Sequence, residues 1–360
     1  MSIRIELLTP DQETDYEELL HSIKHSLLYA SLKYRNFLKR ILVDSQDFYL
    51  VAYESGQLVG ALPSFIKSNK TYGNVLNSLP FYGSNSGVMV SPNACDSKAV
   101  KLSLLDAFHS MAQQNSVVTS TIISNPLDTD VGFYEAHSQY TLRDERLGQV
   151  VVLPTSWDND KDLQIVLMGM FHEMRRRNIR KAQKSDIIVS HSDSLEAMEA
   201  LARLHQQNIE AIGGRPKPWS VFVSLRETFT YNQDYRLYLA QKDNIIISAL
   251  LVFFYNQTVE YFTPTTLETF RVYQPMSLLI YEAMQEAARR GCKYWNWGGT
   301  WLEQDGVYKY KSRWGALDLP YYYYIREYEG SSDLRQLTAN ELLAEYPFFY
   351  VLPFKVLPKA

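Results

Sequence analysis

The order of predicted secondary structure in this chain repeats once along its 360 residues. In the first half, alternating apolar runs around a glycine turn predict a β-hairpin at 48–67, followed by a helix at 98–114 and a β-branched strand at 117–124. The second half has the same three elements: a hairpin at 235–255, a helix at 275–290 and a strand at 294–297. Corresponding elements lie about 175 to 190 residues apart, which predicts two divergent copies of one lobe.

The predicted fold class is α/β (α+β), with tandem lobes that each contain a mixed, mostly antiparallel sheet flanked by helices. A chain of this length also exceeds one ordinary hydrophobic core. The predicted boundaries are 1–150 for a divergent N-terminal lobe, 151–345 for a C-terminal lobe with a basic helix and a ligand cleft, and 346–360 for an apolar C-terminal tail. We expect the tail to pack on a lobe, with a peripheral membrane contact as the alternative.

Composition limits the function classes. Hydrophobic residues make up 46% of the chain and charged residues 21%, as in a globular protein, and a net charge of −4 argues against general attraction to nucleic acid. The two cysteines are far apart and support neither a disulfide framework nor a thiolate metal site. No signal peptide or membrane span is predicted. We therefore expect a cytoplasmic protein, and no metal site is predicted.

A basic run lies at 175–184, where six of ten residues are Arg or Lys. Apolar residues at helical spacing before the run predict one long helix over 162–184. Arginine forks match phosphate oxygens, so Arg177, Arg180 and Lys181 are candidate contacts to a phosphorylated substrate. The alternative is a solvated helix end whose charges offset the helix dipole.

A second constellation combines aromatic and cationic residues. The strand Trp295-Asn296-Trp297 ends at a glycine pair, and the segment 306–315 then alternates aromatic with cationic side chains in a predicted loop. The candidate residues for substrate binding are Trp297, Tyr308, Lys309, Arg313 and Trp314. The alternative is a strand in which Lys309, Lys311 and Arg313 form one solvated face.

The segments Arg-Asn-Ile-Arg-Lys-Ala at 177–182 and Tyr-Lys-x-x-Trp-Gly at 310–315 resemble the FemABX family of peptidoglycan-bridge aminoacyltransferases. They also resemble its FemAB-like and BioF2-like relatives in the GNAT superfamily. The resemblance covers most of the chain, more weakly over 1–150 and best over 172–315, and it implies two GNAT-type lobes. It also implies that Lys311 matches the lysine thought to stabilise charge at the reacting group, with Tyr310 replacing a phenylalanine.

Donor and base candidates come from the second lobe. In GNAT enzymes a glycine-rich turn at a helix start binds the pyrophosphate of coenzyme A, and Arg271 and Gln274 occupy the corresponding position here. Both glycines are missing and Pro275 removes one N–H, which weakens such a cradle. Glu260 and its neighbour Tyr261 are the candidate base that removes the proton of an acceptor amine through water.

These features predict an N-acyltransferase that moves an acyl or aminoacyl group to an amine of a cell-envelope or sugar precursor. No cofactor is expected to be bound, and the co-substrate is acyl-CoA or aminoacyl-tRNA. The acceptor is a small-molecule or lipid-linked sugar or peptide. The alternatives are an aminoacyl-tRNA-dependent peptidoglycan-bridge enzyme, with tRNA as a partner, and a catalytically silent sugar- or peptide-binding protein. The oligomeric state is left open.

Overall fold

The structure is a computed structural model that describes residues 3–81, 84–128 and 130–358. The first two residues of the predicted N-terminal lobe and the last two of the predicted tail lie outside this range.

The strands, in chain order, are β1 (Ile3–Leu7), β2 (Ser45–Glu54), β3 (Gln57–Lys67), β4 (Asn74–Asn77), β5 (Met89–Val90), β6 (Val117–Ile123), β7 (Leu142–Val152), β8 (Ile188–His191), β9 (Tyr235–Lys242), β10 (Ile245–Tyr255), β11 (Thr258–Thr266), β12 (Tyr294–Thr300) and β13 (Leu317–Glu327). The α-helices are α1 (Glu13–Ser22), α2 (Leu32–Ile41), α3 (Ser97–Gln114), α4 (Val131–His137), α5 (Asp160–Met170), α6 (Glu173–Gln183), α7 (Leu195–Glu210), α8 (Trp219–Thr228), α9 (Pro275–Arg289), α10 (Asp305–Ser312) and α11 (Ala339–Glu345).

The chain forms two compact units. Unit 1 consists of Met1–Arg146 and Pro320–Ala360, and unit 2 of Leu147–Leu319. The strand order within unit 1 is β1-β2-β3-β4-β6-β13, with β5 also paired to β3, and within unit 2 it is β7-β12-β11-β10-β9-β8.

Both units contain the same succession of elements. In unit 1, the antiparallel strands β2, β3 and β4 are followed by α3 and then by β6, which pairs in parallel with β4. In unit 2, the antiparallel strands β9, β10 and β11 are followed by α9 and then by β12, which pairs in parallel with β11. A parallel pair requires a crossover connection, and the helix supplies it each time. This arrangement confirms the predicted fold class of mostly antiparallel sheets with flanking helices.

The units differ from the predicted lobes at their C-terminal limits. Residues 320–345 were expected in the second lobe, whereas they belong to unit 1. The reason is strand pairing, because 323–327 of β13 pair antiparallel with 119–123 of β6. The tail also packs within unit 1, where the Asn77 amide bonds the backbone N–H and carbonyl of Tyr350. Among the described residues, no helix has the length and apolarity that a membrane crossing needs.

The single helix predicted over 162–184 is wrong, because the chain forms α5 and α6 with a break at Phe171 and His172. Phe171 has an extended backbone, and its buried ring packs against Trp314 at a centroid distance of 5.0 Å. His172 caps α6, since its Nδ1 accepts a hydrogen bond from the backbone N–H of Met174 at 3.2 Å. The break places the Phe171 ring in the core of unit 2, against Trp314.

Candidate functional site

The candidate site lies in unit 2, where two parallel strands separate. Strands β11 and β12 pair over a short stretch only, in which Thr258–Glu260 of β11 lie beside Tyr294–Asn296 of β12. Beyond this point β11 remains paired with β10, across a bulge at Phe262, while β12 pairs with β7. A bulge increases local twist, which turns the two strand ends apart. The separated ends leave a cavity of about 630 Å³, a size suited to a small organic group.

Four elements of unit 2 line this cavity. The end of β11 contributes Tyr261 and 264–266, the entry to α9 contributes Arg271 and 274–277, and α7 contributes Asn208. The helix α10 contributes Gly306, Val307, Tyr310 and Lys311. The predicted loop over 306–315 is therefore wrong for its first part, which forms α10. On a helix, residues three and four positions apart share a face, so Val307, Tyr310 and Lys311 point the same way.

Lys311 is buried in the cavity wall with 7% of its surface exposed. Its Nζ donates hydrogen bonds to Thr300 Oγ1 at 2.8 Å, to the Gly299 carbonyl at 3.1 Å and to the Gly298 carbonyl at 3.4 Å. Gly298 has φ +72°, a conformation that glycine adopts without strain. Burial lowers the pKa of Lys311 to about 8. In the described part of the chain no carboxylate forms an ion pair with this ammonium.

A buried polar chain holds the Lys311 ammonium in place. Thr300 is 1% exposed and Gln149 is fully buried, and the Thr300 hydroxyl donates to Gln149 Oε1 at 3.0 Å. Because that hydroxyl gives its proton to Gln149, its lone pairs are directed at Lys311. The sequence indicated no role for either residue, since they lie 151 positions apart.

Tyr261 and Glu260 were predicted together as base candidates, and the structure places them differently. Successive side chains of a strand point to opposite faces. Tyr261 lines the cavity. Burial raises the pKa of its hydroxyl well above 10, and the neighbouring Tyr310 adds to this shift. Glu260 is 1% exposed, accepts a hydrogen bond from Asn296 Nδ2 at 2.9 Å and is not part of the cavity lining.

The aromatic and cationic candidates of 297–314 divide into core and surface residues. Trp297 and Trp314 are buried and pack against each other at a centroid distance of 5.9 Å. Tyr308 donates to Asp318 and Lys309 pairs with Asp305, both at the exposed side of α10. The Arg313 guanidinium contacts the Met174 sulfur at 3.0 Å. None of the five predicted substrate contacts lines the cavity, and their role stays a prediction.

The basic run also divides into a buried and an exposed part. Arg177, Arg180 and Lys181 lie on the exposed side of α6, outside the lining of this cavity, and within the described residues they form no ion pair. Arg175 is only 5% exposed, and its guanidinium lies 4.1 Å from the ring centroid of Tyr310. Burial lowers the pKa of Arg175. One cation of the run, Arg175, therefore packs against Tyr310 of the cavity wall. The sequence did not distinguish Arg175 from the neighbouring cations.

Arg271 and Gln274 both line the cavity at the entry to α9. Gln274 adopts a left-handed conformation with φ +60°, and α9 then begins with Pro275. Pro275 has no N–H, and the N–H of Ser277 bonds the Gln274 carbonyl at 3.0 Å. The start of α9 therefore offers few free N–H groups to a phosphate, in agreement with the missing glycines.

Comparisons with known proteins agree with this geometry. A family model described as acetyltransferase (GNAT) domain matches residues 171–312, which include the cavity. No curated protein sequence matches the chain. Among solved structures, FemX is 16% identical, with 92% of this chain and 98% of FemX covered at a TM-score of 0.72.

Two further solved structures have the same fold at lower similarity. A tandem GNAT protein from the clavulanic acid biosynthesis pathway is 10% identical, with 91% of this chain and 98% of that chain covered at a TM-score of 0.55. The C-terminal domain of a putative lysylphosphatidylglycerol synthetase from Agrobacterium fabrum is also 10% identical, with 95% and 98% covered at 0.57. The chain therefore has the fold of these tandem GNAT structures, as its resemblance to FemAB-like acyltransferases predicts, and its residues 171–312 match the acetyltransferase (GNAT) domain model.

Proposed function

We propose that this protein is an N-acyltransferase that moves an acyl or aminoacyl group from an activated thioester or ester to an amine of a cell-envelope or sugar-type acceptor. The observation that carries the proposal is the Lys311 ammonium, which is buried in a cavity wall of the GNAT domain and pairs with no carboxylate among the described residues. A preorganised cation in a site of low dielectric stabilises negative charge that develops during a reaction.

The proposed reaction is a direct displacement. The acceptor nitrogen attacks the donor carbonyl carbon, and the carbonyl oxygen becomes negative as the tetrahedral intermediate forms. The Lys311 ammonium stabilises that oxygen. The bond from carbon to the thiol sulfur or ribose oxygen then breaks, the amide forms, and the amine proton leaves on the departing group or on water. No enzyme side chain bonds to the acyl group, and the protein contributes positioning and charge stabilisation.

Tyr261 has a role at the leaving group in this proposal. Burial raises the pKa of its hydroxyl well above the ordinary value of 10, so the hydroxyl is neutral, and we propose that it donates a hydrogen bond to the departing group. Glu260 lies on the opposite face of β11, and a role as base would require a water relay around that strand. Arg271 and Gln274, at the start of α9, are proposed to contact the donor.

The donor is proposed to be acyl-CoA, which the GNAT domain match supports. A second candidate is aminoacyl-tRNA. It is supported by the resemblance to FemABX aminoacyltransferases, by the few free N–H groups at the start of α9 and by the exposed cations Arg177, Arg180 and Lys181. A neighbour named as a lysylphosphatidylglycerol synthetase supports a lipid-linked acceptor as one form of the substrate.

Thermal unfolding distinguishes the two donors. A ligand that binds only the folded protein raises the melting temperature in a concentration-dependent way. We expect stabilisation by acetyl-CoA. A shift only with charged tRNA would replace acyl-CoA by aminoacyl-tRNA as the donor, and uncharged tRNA controls for binding of the nucleic acid alone.

Turnover of two lysine variants tests the role of the site. Lys311→Ala should lower the rate of donor consumption by about 10²- to 10³-fold, as loss of an oxyanion donor does in other enzymes. Lys161→Ala is the matched control, because Lys161 is an exposed lysine of α5 outside the cavity lining. Equal turnover by wild type and Lys311→Ala would remove the catalytic role of Lys311, whereas wild type that consumes no donor would favour a silent binding protein.

A further inference from the structure

The wall of the unit 2 cavity is largely apolar. Tyr261, Pro264, Pro275, Met276, Val307 and Tyr310 supply rings and aliphatic groups to it. Burial of apolar surface is favourable in proportion to its area, so this wall favours an apolar guest.

Three polar side chains of the wall, Asn208, Thr265 and Gln274, already have partners within the protein. The Asn208 amide bonds a backbone N–H and a carbonyl of β11, each at 2.9 Å, and the Thr265 hydroxyl donates to a carbonyl of β10 at 3.2 Å. Gln274 Nε2 donates to the Arg271 carbonyl at 2.9 Å. A polar or charged guest would lose its hydration in this cavity and gain few hydrogen bonds in return.

The lysine cation and the apolar side chains share one face of α10. Val307 lies one helical turn before Lys311, and Tyr310 is adjacent to it on that face. A carbonyl group whose oxygen contacts Lys311 would therefore have the apolar side chains of Val307 and Tyr310 beside it. The cation that contacts the reacting carbonyl and the apolar side chains that contact the rest of the donor are therefore neighbours on α10.

We infer that this cavity selects donors by an apolar group attached to the activated carbonyl, either the alkyl chain of an acyl thioester or the apolar side chain of an aminoacyl ester. The inference rests on the proposed function and adds the chemical class of the transferred group. Charged and strongly polar transferred groups are disfavoured, because they would lose hydration against a mostly apolar wall in which Asn208, Thr265 and Gln274 already have partners.

Gly306 lines the cavity and offers a position at which the space for the transferred group can be reduced. It lies in the first turn of α10, and a Cβ atom added there would meet no heavy atom within 4 Å. Its φ is not in the left-handed region, so a larger residue is compatible with the helix. A leucine at this position would occupy cavity space and leave the fold intact.

The experiment measures dissociation constants by calorimetry for the full chain, with CoA thioesters of straight-chain acids from two to twelve carbons. A second arm uses non-hydrolysable aminoacyl-adenosine amides that carry alanine, leucine, lysine or aspartate. We expect affinity to rise about fourfold for each added methylene until the cavity is filled. In the second arm, leucine should bind at least tenfold more tightly than lysine or aspartate, and the arm that shows selective binding identifies the source of the apolar group.

Gly306→Leu should shorten the longest thioester that gains affinity and weaken its binding at least tenfold, while binding of the two-carbon thioester stays within about twofold. Gly169→Leu is the matched control: Gly169 is an exposed glycine of α5 that also has open space, and it is remote from the cavity lining. Affinity that does not depend on chain length in wild type, or a preference for lysine or aspartate, overturns the inference and leaves the transferase proposal in place. Failure of every thioester and aminoacyl mimic to bind overturns both.

Discussion

The charge state of Lys311 gives the most direct test of the mechanism, because its protonated and neutral forms predict opposite pH dependences. With a pKa of about 8, the charged form exceeds the neutral form by about tenfold at pH 7, and the ratio is reversed at pH 9. If the ammonium stabilises the oxyanion, turnover falls about tenfold for each pH unit above 8. If the neutral amine acts as a general base, turnover rises through the same range.

The assay is single-turnover release of free thiol from a saturating acyl thioester between pH 6 and 10. The acceptor amine needs a pKa well below 6, so that its own ionisation does not contribute to the profile. Lys311→Arg supplies a cation that stays protonated over this range, and it should remove the falling limb even where it lowers the rate. A rate that rises through pH 8 in wild type would refute charge stabilisation by this ammonium.

The same shift affects stability, which gives a second measurement without a substrate. The unfolded lysine has a pKa of 10.5 and the folded one of about 8, so the unfolded state binds more protons between these values. Stability therefore rises with pH from about 8 to 10.5, by roughly 3 kcal/mol for this residue. Lys311→Met should lack that increment when its urea unfolding is subtracted from that of wild type across the range. An unchanged pH dependence in the variant would contradict the lowered pKa.

Three further predictions concern the support of the site and the limits of the units. Thr300→Val removes the 2.8 Å acceptor of the buried ammonium and should move the falling limb of the rate profile about one pH unit lower, whereas an unmoved limb would mean that the hydroxyl does not set this pKa. Gly315→Ala should lower the free energy of unfolding in urea by about 1 to 3 kcal/mol, because φ at Gly315 is +81° and the new Cβ would lie 2.9 Å from a carbonyl of α5. The control Gly169→Ala should be neutral or slightly stabilising, and equal unfolding midpoints for the two variants would contradict this reasoning. Asn77→Ala removes both hydrogen bonds to the backbone of Tyr350 and should cost about 2 kcal/mol and make the tail more sensitive to proteolysis; unchanged cleavage would show that these bonds do not hold it.

The local pattern of the chain was enough to predict the repeated hairpin, helix and strand in each half, because hydrophobic periodicity and turn residues act over a few positions. The same holds for the motif that includes Tyr310 and Lys311, whose residues are neighbours in sequence. The structure confirms the tandem lobes that these features predict, and the motif located one lysine that lies in the cavity wall.

Tertiary structure decided which of the many cations and rings reach that cavity. The helix break at Phe171 and the choice of β13 as a partner for β6 depend on packing and strand pairing between distant residues, which periodicity does not contain. The burial that lowers the pKa of Lys311, and its link through Thr300 to Gln149, arise only when β12, β7 and α10 come together. Sequence spacing determines local geometry, whereas desolvation depends on every atom that surrounds a charge, so the chemistry of the site is a property of the folded chain.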